Sequence, residues 1–318
     1  MRETSYLLKL SLFLTLSRAG LKTPMQNNNI EGYPLDQSPL YRLQSKKKLA
    51  NYLYISVADL SRLSSKDNLY KEVDISQGSK TRRIEKPVDD LKRLQKRIAT
   101  LLQRIKLPSY IYAIRRGASY ITNAQQHVGS PVLRTLDIEK YFVSTLKKQV
   151  YYFFNTNMKC SPDVAHILTK ISTFKNHLPT GSPLSPILSF YTHMGIWDEI
   201  YNLVSLDNCI LTIYIDDLTI SGATVSDQLI WKVKQKLHSA GLRSNYKKEK
   251  YYSKKVSREV TGIIISPDGV LKAPNRQHLK IHNLRQLIRS FKSEDVAVKL
   301  LQKIDGLESQ LNQIKKVS

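Results

Sequence analysis

Between Ile210 and Ser221 the chain reads Ile-Leu-Thr-Ile-Tyr-Ile-Asp-Asp-Leu-Thr-Ile-Ser. Two apolar, β-branched runs enclose a pair of adjacent carboxylates, the pattern of a hairpin with Asp216 and Asp217 at its tip. Two acids inside so apolar a ribbon cost free energy unless a cation or a set of donors offsets their charge. A divalent metal with oxygen ligands would do so. A solvated Asp-Asp turn, common in hairpins, would avoid the cost altogether. By itself this stretch leaves both readings open.

A third carboxylate favours the metal. Leu133 to Ser144 reads as a short apolar strand ending at Asp137, followed by Ile-Glu-Lys-Tyr-Phe. A strand-end Asp beside a hairpin-tip Asp gives oxygen ligands from two separate segments, the usual construction of a two-metal phosphoryl-transfer site. Tyr-Ile-Asp-Asp and Asp-x-x-x-Tyr-Phe together resemble the palm of a reverse transcriptase. Asn123-Ala124-Gln125-Gln126-His127 precedes the first Asp, and Val260-Thr261-Gly262 follows the hairpin. These are similar to the Asn-Ala-x-x-His and Val-Thr-Gly signatures of bacterial retron reverse transcriptases. The resemblance runs from about Lys71 to the C-terminus.

The fold it implies is α+β, a right-hand polymerase with fingers, a palm of antiparallel sheet and helices, and a small helical thumb. The expected divisions are 1–68, an N-terminal helical extension; 69–266, fingers and palm; and 267–318, the thumb. Helices are predicted from about Ser5 to Ala19, behind Lys46-Lys47-Lys48, from Asp89, from Pro162, from Ser185 and over Ser226–Ala240. Val260 to Ile265 has the composition of a single buried strand with Gly262 at a bulge, or of a recognition segment.

Charge points to the partner. Fifty Lys and Arg stand against 26 Asp and Glu, a formal net charge of +24. An excess of that size calls for a polyanion, with nucleic acid the first choice. A membrane surface would want its bases gathered beside an apolar anchor, and here they are dispersed. Cys160 and Cys209 form neither a metal spacing nor a disulfide framework, which fits a reducing cytoplasm.

The resemblance assigns roles by position. Asp137 and Asp216 would bridge two Mg²⁺ ions, with Asp217 acting as a further ligand or through its charge. Arg82 and Arg83 lie on the return strand of a fingers hairpin, where basic side chains cover the incoming deoxynucleoside triphosphate. Strand alternation lets only one of the two point into the cleft. Phe142 stands where an aromatic ring excludes a ribose 2′-hydroxyl. Gly181 lies in the loop that approaches the nascent base pair, preceded by Thr180 where the family carries Gln. Lys248, behind Lys247, has the spacing of the lysine that meets pyrophosphate. Asn123, His127, Val260, Thr261 and Gly262 would hold the RNA or the local fold around it.

The activity implied is that of a retron enzyme. It would bind a cognate structured non-coding RNA and prime from the 2′-hydroxyl of an internal guanosine. Its product would be branched, RNA-linked DNA, in phage defence with a separate effector protein. A group II intron or diversity-generating reverse transcriptase is the alternative within this chemistry. An RNA-binding scaffold or antitoxin with a vestigial site is the alternative outside it.

Overall fold

The computed structural model describes residues 32–318 apart from 67, 78–79, 291–293 and 318. The helix expected over Ser5–Ala19 therefore lies outside the described residues, as do Gly78 and Ser79 of the expected fingers turn. The described chain is a mixture of helices and antiparallel sheet.

Two short helices come first, α1 (Lys46–Leu53) and α2 (Val57–Ser65). Each is opened by a serine, Ser45 and Ser56, whose side chain accepts from a backbone N–H one turn on. Strands β1 (Tyr70–Gln77) and β2 (Lys80–Pro87) form a separate antiparallel ribbon. Pro87 ends it, and α3 (Asp89–Leu102) starts with two acids at its positive end. Leu91, Leu94, Ile98, Leu101 and Leu102 are the buried stripe of α3.

The central sheet is assembled from distant segments. After α4 (Tyr120–Gln125) comes β3 (Val132–Asp137), then α5 (Tyr141–Ser144), α6 (Lys147–Tyr152), α7 (Pro162–Ser172), α8 (Ser185–Thr192) and α9 (Met194–Leu206). Strands β4 (Ile210–Tyr214) and β5 (Asp217–Gly222) follow, then α10 (Asp227–Ser239) and β6 (Lys250–Ser253). The strand order is β4-β5-β3-β6, with every neighbour antiparallel. Leu211, Ile213, Leu218 and Ile220 enter the large core together with Ile187, Leu188 and Trp197 of α8 and α9. Helix α10 is capped by Ser226 and ends where Gly241 takes φ +78°, a left-handed conformation that suits glycine.

A small sheet of β7 (Arg258–Val260), β8 (Ile263–Ile265) and β9 (Leu271–Lys272) lies over a second core. That core joins Ile121 and Ala124 of α4, Leu133 of β3, and Val260, Ile263 and Ile265. Val260 to Ile265 is thus a hairpin rather than one bulged strand. The chain closes with α11 (Asn275–Ser290) and α12 (Glu294–Val317), and Ile314 of α12 reaches the second core.

Candidate active site

Register brings the carboxylates together. Asp137, the last residue of β3, pairs directly with Asp217, the first of β5. Tyr214 pairs with Asp217 across the hairpin, so the turn consists of Ile215 and Asp216 alone. Asp217 is therefore a strand residue rather than part of the tip. Ile215 takes φ +60°, as the first central residue of a II′-type turn does, a place normally given to glycine. For a β-branched residue this costs on the order of 1–2 kcal/mol. Ile215 is held there by packing, in a narrow crevice with Tyr141, Phe190 and Trp197.

The cluster carries unbalanced charge. Burial, then the Asp216 and Asp137 carboxylates, push Asp217 up to about 6. Asp216 is raised by burial and by Asp137, and drawn back by Lys248 and Arg82. Asp137 has a partner, since Lys248 Nζ donates to its Oδ1 at 2.6 Å. The loop carrying Lys248 is bound to the strand end: Asn245 N–H donates to Asp137 O at 2.7 Å, and Glu139 N–H to Arg243 O at 2.8 Å. Ile138 N–H donates to Asp216 O at 2.8 Å, locking the hairpin tip to the end of β3.

Among the described residues no three acidic, imidazole or thiol groups are already drawn into a metal-coordinating cluster. Bare carboxylates repel one another, and one oxygen of Asp137 is engaged by Lys248. The donor set nevertheless suits a hard divalent cation: three carboxylates on adjoining backbone, two of them with pKa raised by burial and by the neighbouring carboxylates.

The two arginines of β2 separate as alternation requires. Arg83 turns to its own ribbon, 3.3 Å from Asp74 and 3.4 Å from Glu72. Arg82 is exposed, and its charge is felt at Asp216. Gly181 permits close approach to that ribbon, because a Cβ there would lie 2.5 Å from Glu85 O. Its N–H donates to the same oxygen. Thr180 is also committed there, its hydroxyl accepting from Glu85 N–H at 3.2 Å and donating to Arg83 O at 3.3 Å. Phe142 is half-buried beside the fully packed Tyr141, with ring centroids 5.8 Å apart.

The two outlying signatures are one structure. Val260 pairs with Ile263, leaving Thr261 (φ +46°) and Gly262 (φ +83°) as a I′-type turn. Asn123 Nδ2 donates to Thr261 Oγ1 at 3.2 Å, and that hydroxyl donates on to Tyr120 O at 3.2 Å. His127 is wholly buried, with Nδ1 2.7 Å from Ser221 Oγ and Nε2 2.7 Å from Thr212 Oγ1. Burial, with Arg258 nearby, lowers its pKa to about 3. Asn123, His127 and Val260 are thus interior residues: Asn123 and Val260 adjoin the turn, whereas His127 bridges β4 and β5. Thr261 and Gly262 remain half-exposed.

Two buried groups near the site escaped sequence reading. Gln95 donates to Tyr70 Oη at 2.6 Å and to Ile171 O, and accepts from Ser182 Oγ at 2.7 Å. Its signal was a polar residue inside the stripe of α3, four after Leu91 and three before Ile98. Glu85 meets His177 Nε2 at 3.0 Å and Thr180 N–H at 3.3 Å. Nothing in the order of residues marks that pairing.

Residues 66–265 match the family model of the reverse transcriptase (RNA-dependent DNA polymerase). The Retron Se72 reverse transcriptase of Salmonella heidelberg (strain 579083-10) is 31% identical over 155 residues, 48% of this chain and 41% of that protein. The Retron Ec86 reverse transcriptase of Escherichia coli is 29% identical over 194 residues, 59% of this chain and 60% of that protein. The matches thus span about two-fifths and three-fifths of the lengths of these relatives. A solved telomerase from Candida albicans, in complex with a fragment of telomeric RNA, aligns with a TM-score of 0.49 at 10% identity. It covers 80% of this chain and 58% of that one, a likeness too slight to carry an argument.

Proposed function

The chain belongs to the reverse transcriptase (RNA-dependent DNA polymerase) family, and from that premise we propose that it is a retron-type enzyme. On this reading it copies part of a cognate structured RNA into DNA from an internal guanosine 2′-hydroxyl. The observation that carries the reading is the register of Asp137 against Asp217, with Asp216 in the adjoining turn, inside the matched region. Relatives that are themselves retron enzymes support the finer assignment.

In this account residues 69–266 are fingers and palm and 267–318 a thumb. Asp137, Asp216 and Asp217 would hold two Mg²⁺ ions, which would supply Lewis-acid activation of the attacking hydroxyl and positive charge opposite the α-phosphate and the leaving pyrophosphate. Lys248 supplies a cation at the same carboxylate edge, suited to offset leaving charge or to donate a proton. Arg82 faces the triphosphate, and Arg83 holds the ribbon that presents it. Gly181 keeps its loop close against that ribbon. Phe142 closes the pocket to a ribose 2′-hydroxyl. The Thr261-Gly262 turn, set by Asn123 and Val260, offers hydroxyl and backbone to the folded RNA, with His127 holding the strands beneath it. The product stays joined to its RNA and serves phage defence through a separately encoded effector.

The test incubates the purified chain with the transcript encoded beside its gene and deoxynucleoside triphosphates, without a primer. The expected product is DNA that stays covalently attached to RNA and shortens on ribonuclease treatment. DNA made only when a primer is annealed would refute the retron assignment and leave the polymerase standing.

A further inference from the structure

Residues 41–54 lie before the matched region and read Tyr-Arg-Leu-Gln-Ser-Lys-Lys-Lys-Leu-Ala-Asn-Tyr-Leu-Tyr, with four bases and no acid. We propose that the segment from Tyr41 to Tyr54, with the outer face of α1 at its centre, is a docking strip for an unpaired stretch of RNA. The proposal rests on the reading of this chain as an RNA-copying enzyme and adds a surface that the polymerase site does not use.

An aromatic ring with a cation near it lies on each side of α1 in the sequence, Tyr41 in the segment before it and Tyr54 at its C-cap. At one end Arg42 and Lys159 flank the Tyr41 ring, 5.5 and 5.8 Å from its centroid. At the other end Arg97 of α3 lies over Tyr54, 4.3 Å from the centroid, and donates to its phenol oxygen at 3.0 Å. Arg97 also donates to Tyr52 O at 2.8 Å, which fixes the guanidinium against the end of α1. Between the ends, an eight-residue helix about 12 Å long presents Lys47, Lys48, Asn51 and Tyr52 to solvent. Its other base, Lys46, is 3.7 Å from Asp163, an acid bordering the strip.

Tyr54 decides what the strip fits. It is 76% exposed and adopts φ +58°, a left-handed backbone that asparagine or glycine would hold at less cost. The fold pays for a bulky ring in that position and then pins it with an arginine. A pinned ring with an open face is a stacking platform, and every base has a face to stack. Neighbouring lysines supply the charge that follows a phosphate backbone. A paired helix keeps its bases stacked inside and could use only the lysines.

The test uses the full chain and two variants, Tyr54→Asn, which keeps the left-handed backbone, and Lys46→Gln/Lys47→Gln/Lys48→Gln. The three lysines crowd the positive end of α1, so their removal should leave the melting temperature unchanged or higher. The probe is a short oligouridylate carrying 4-thiouridine. The parent should crosslink it through the tryptic peptide 49–62. Each variant should bind it about tenfold more weakly, as one lost stack or several lost phosphate contacts predict. Tyr54→Asn should leave affinity for a blunt RNA duplex unchanged. Extension of a DNA primer on saturating RNA template should remain within about twofold of the parent in both variants, since the strip lies outside the polymerase site. Crosslinks confined to other peptides, unchanged oligouridylate affinity, or equal losses for duplex and single strand in Tyr54→Asn would each overturn the proposal. The binding arms need no synthesis, so a chain that docks RNA on α1 and extends no primer fails the polymerase reading alone.

Discussion

Tyr214–Asp217 and Val260–Ile263 are hairpins of the same size, each closed by two residues, each forcing a β-branched side chain into positive φ. They resolve the strain differently. Thr261 has a hydroxyl tied at both ends, to Asn123 and to Tyr120 O, so the second turn is completed from within the chain. Ile215 has no hydroxyl to tie and is held by apolar packing, with Ile138 N–H bonded to Asp216 O beside it, and two acids with raised pKa follow it. The first turn has its geometry fixed and its charge unbalanced. The second has its strained residue tied by hydrogen bonds from within the chain. A strained turn that remains electrostatically incomplete marks where a cation belongs.

The largest effect should come from removing charge at the first turn. Asp216→Asn or Asp137→Asn should each reduce RNA-templated primer extension by more than about a thousandfold while the protein stays folded. Thr261→Val should leave primer extension on an unrelated template within a few-fold of the parent. Comparable losses from both turns would erase the distinction between them.

Next in size is stability. Thr261→Val leaves Asn123 without its amide acceptor, and the Asn123 Oδ1 already lacks a partner. A cost of about 1–3 kcal/mol is expected, read from denaturant unfolding. If the loss falls instead on synthesis from the cognate RNA, with stability intact, the turn is a recognition element more than a latch.

The smallest effect sharpens the electrostatic side. Asp217 holds its proton up to about pH 6 in the folded chain, against an ordinary value of 3.8. Stability from this group is fully present below pH 3.8 and lost as pH rises through 6. Without divalent metal, Asp217→Asn should therefore melt higher than the parent at pH 7.5. At pH 4 the two should agree. A lower melting temperature at pH 7.5 would mean that the carboxylate is already neutralised by the protein.

What was legible in sequence followed from local pattern. The β-branched ribbon announced β4 and β5. The stripe Leu91, Leu94, Ile98 and Leu101 announced α3, and Ser226 with Gly241 bracketed α10. Alternation foretold that Arg82 and Arg83 would part. Asp217 at the tip was one residue out, because apolar runs do not reveal which pair closes a turn. The bond from Asn123 to Thr261 spans 138 residues and that from Lys248 to Asp137 spans 111, so neither leaves a local trace. The place of His127 between two strands was hidden for a related reason. Its partners, Thr212 and Ser221, lie on strands that only tertiary folding brings over it.

The most direct test is the melting temperature of the parent, Asp216→Asn and Thr261→Val as Mg²⁺ is titrated at pH 7.5 without nucleic acid. A cation held by the first turn should stabilise the parent by about 2.7 kcal/mol at a hundredfold excess over Kd. Thr261→Val, starting lower, should gain the same increment, and Asp216→Asn should gain almost none. An equal gain in Asp216→Asn would place the cation elsewhere and contradict the account.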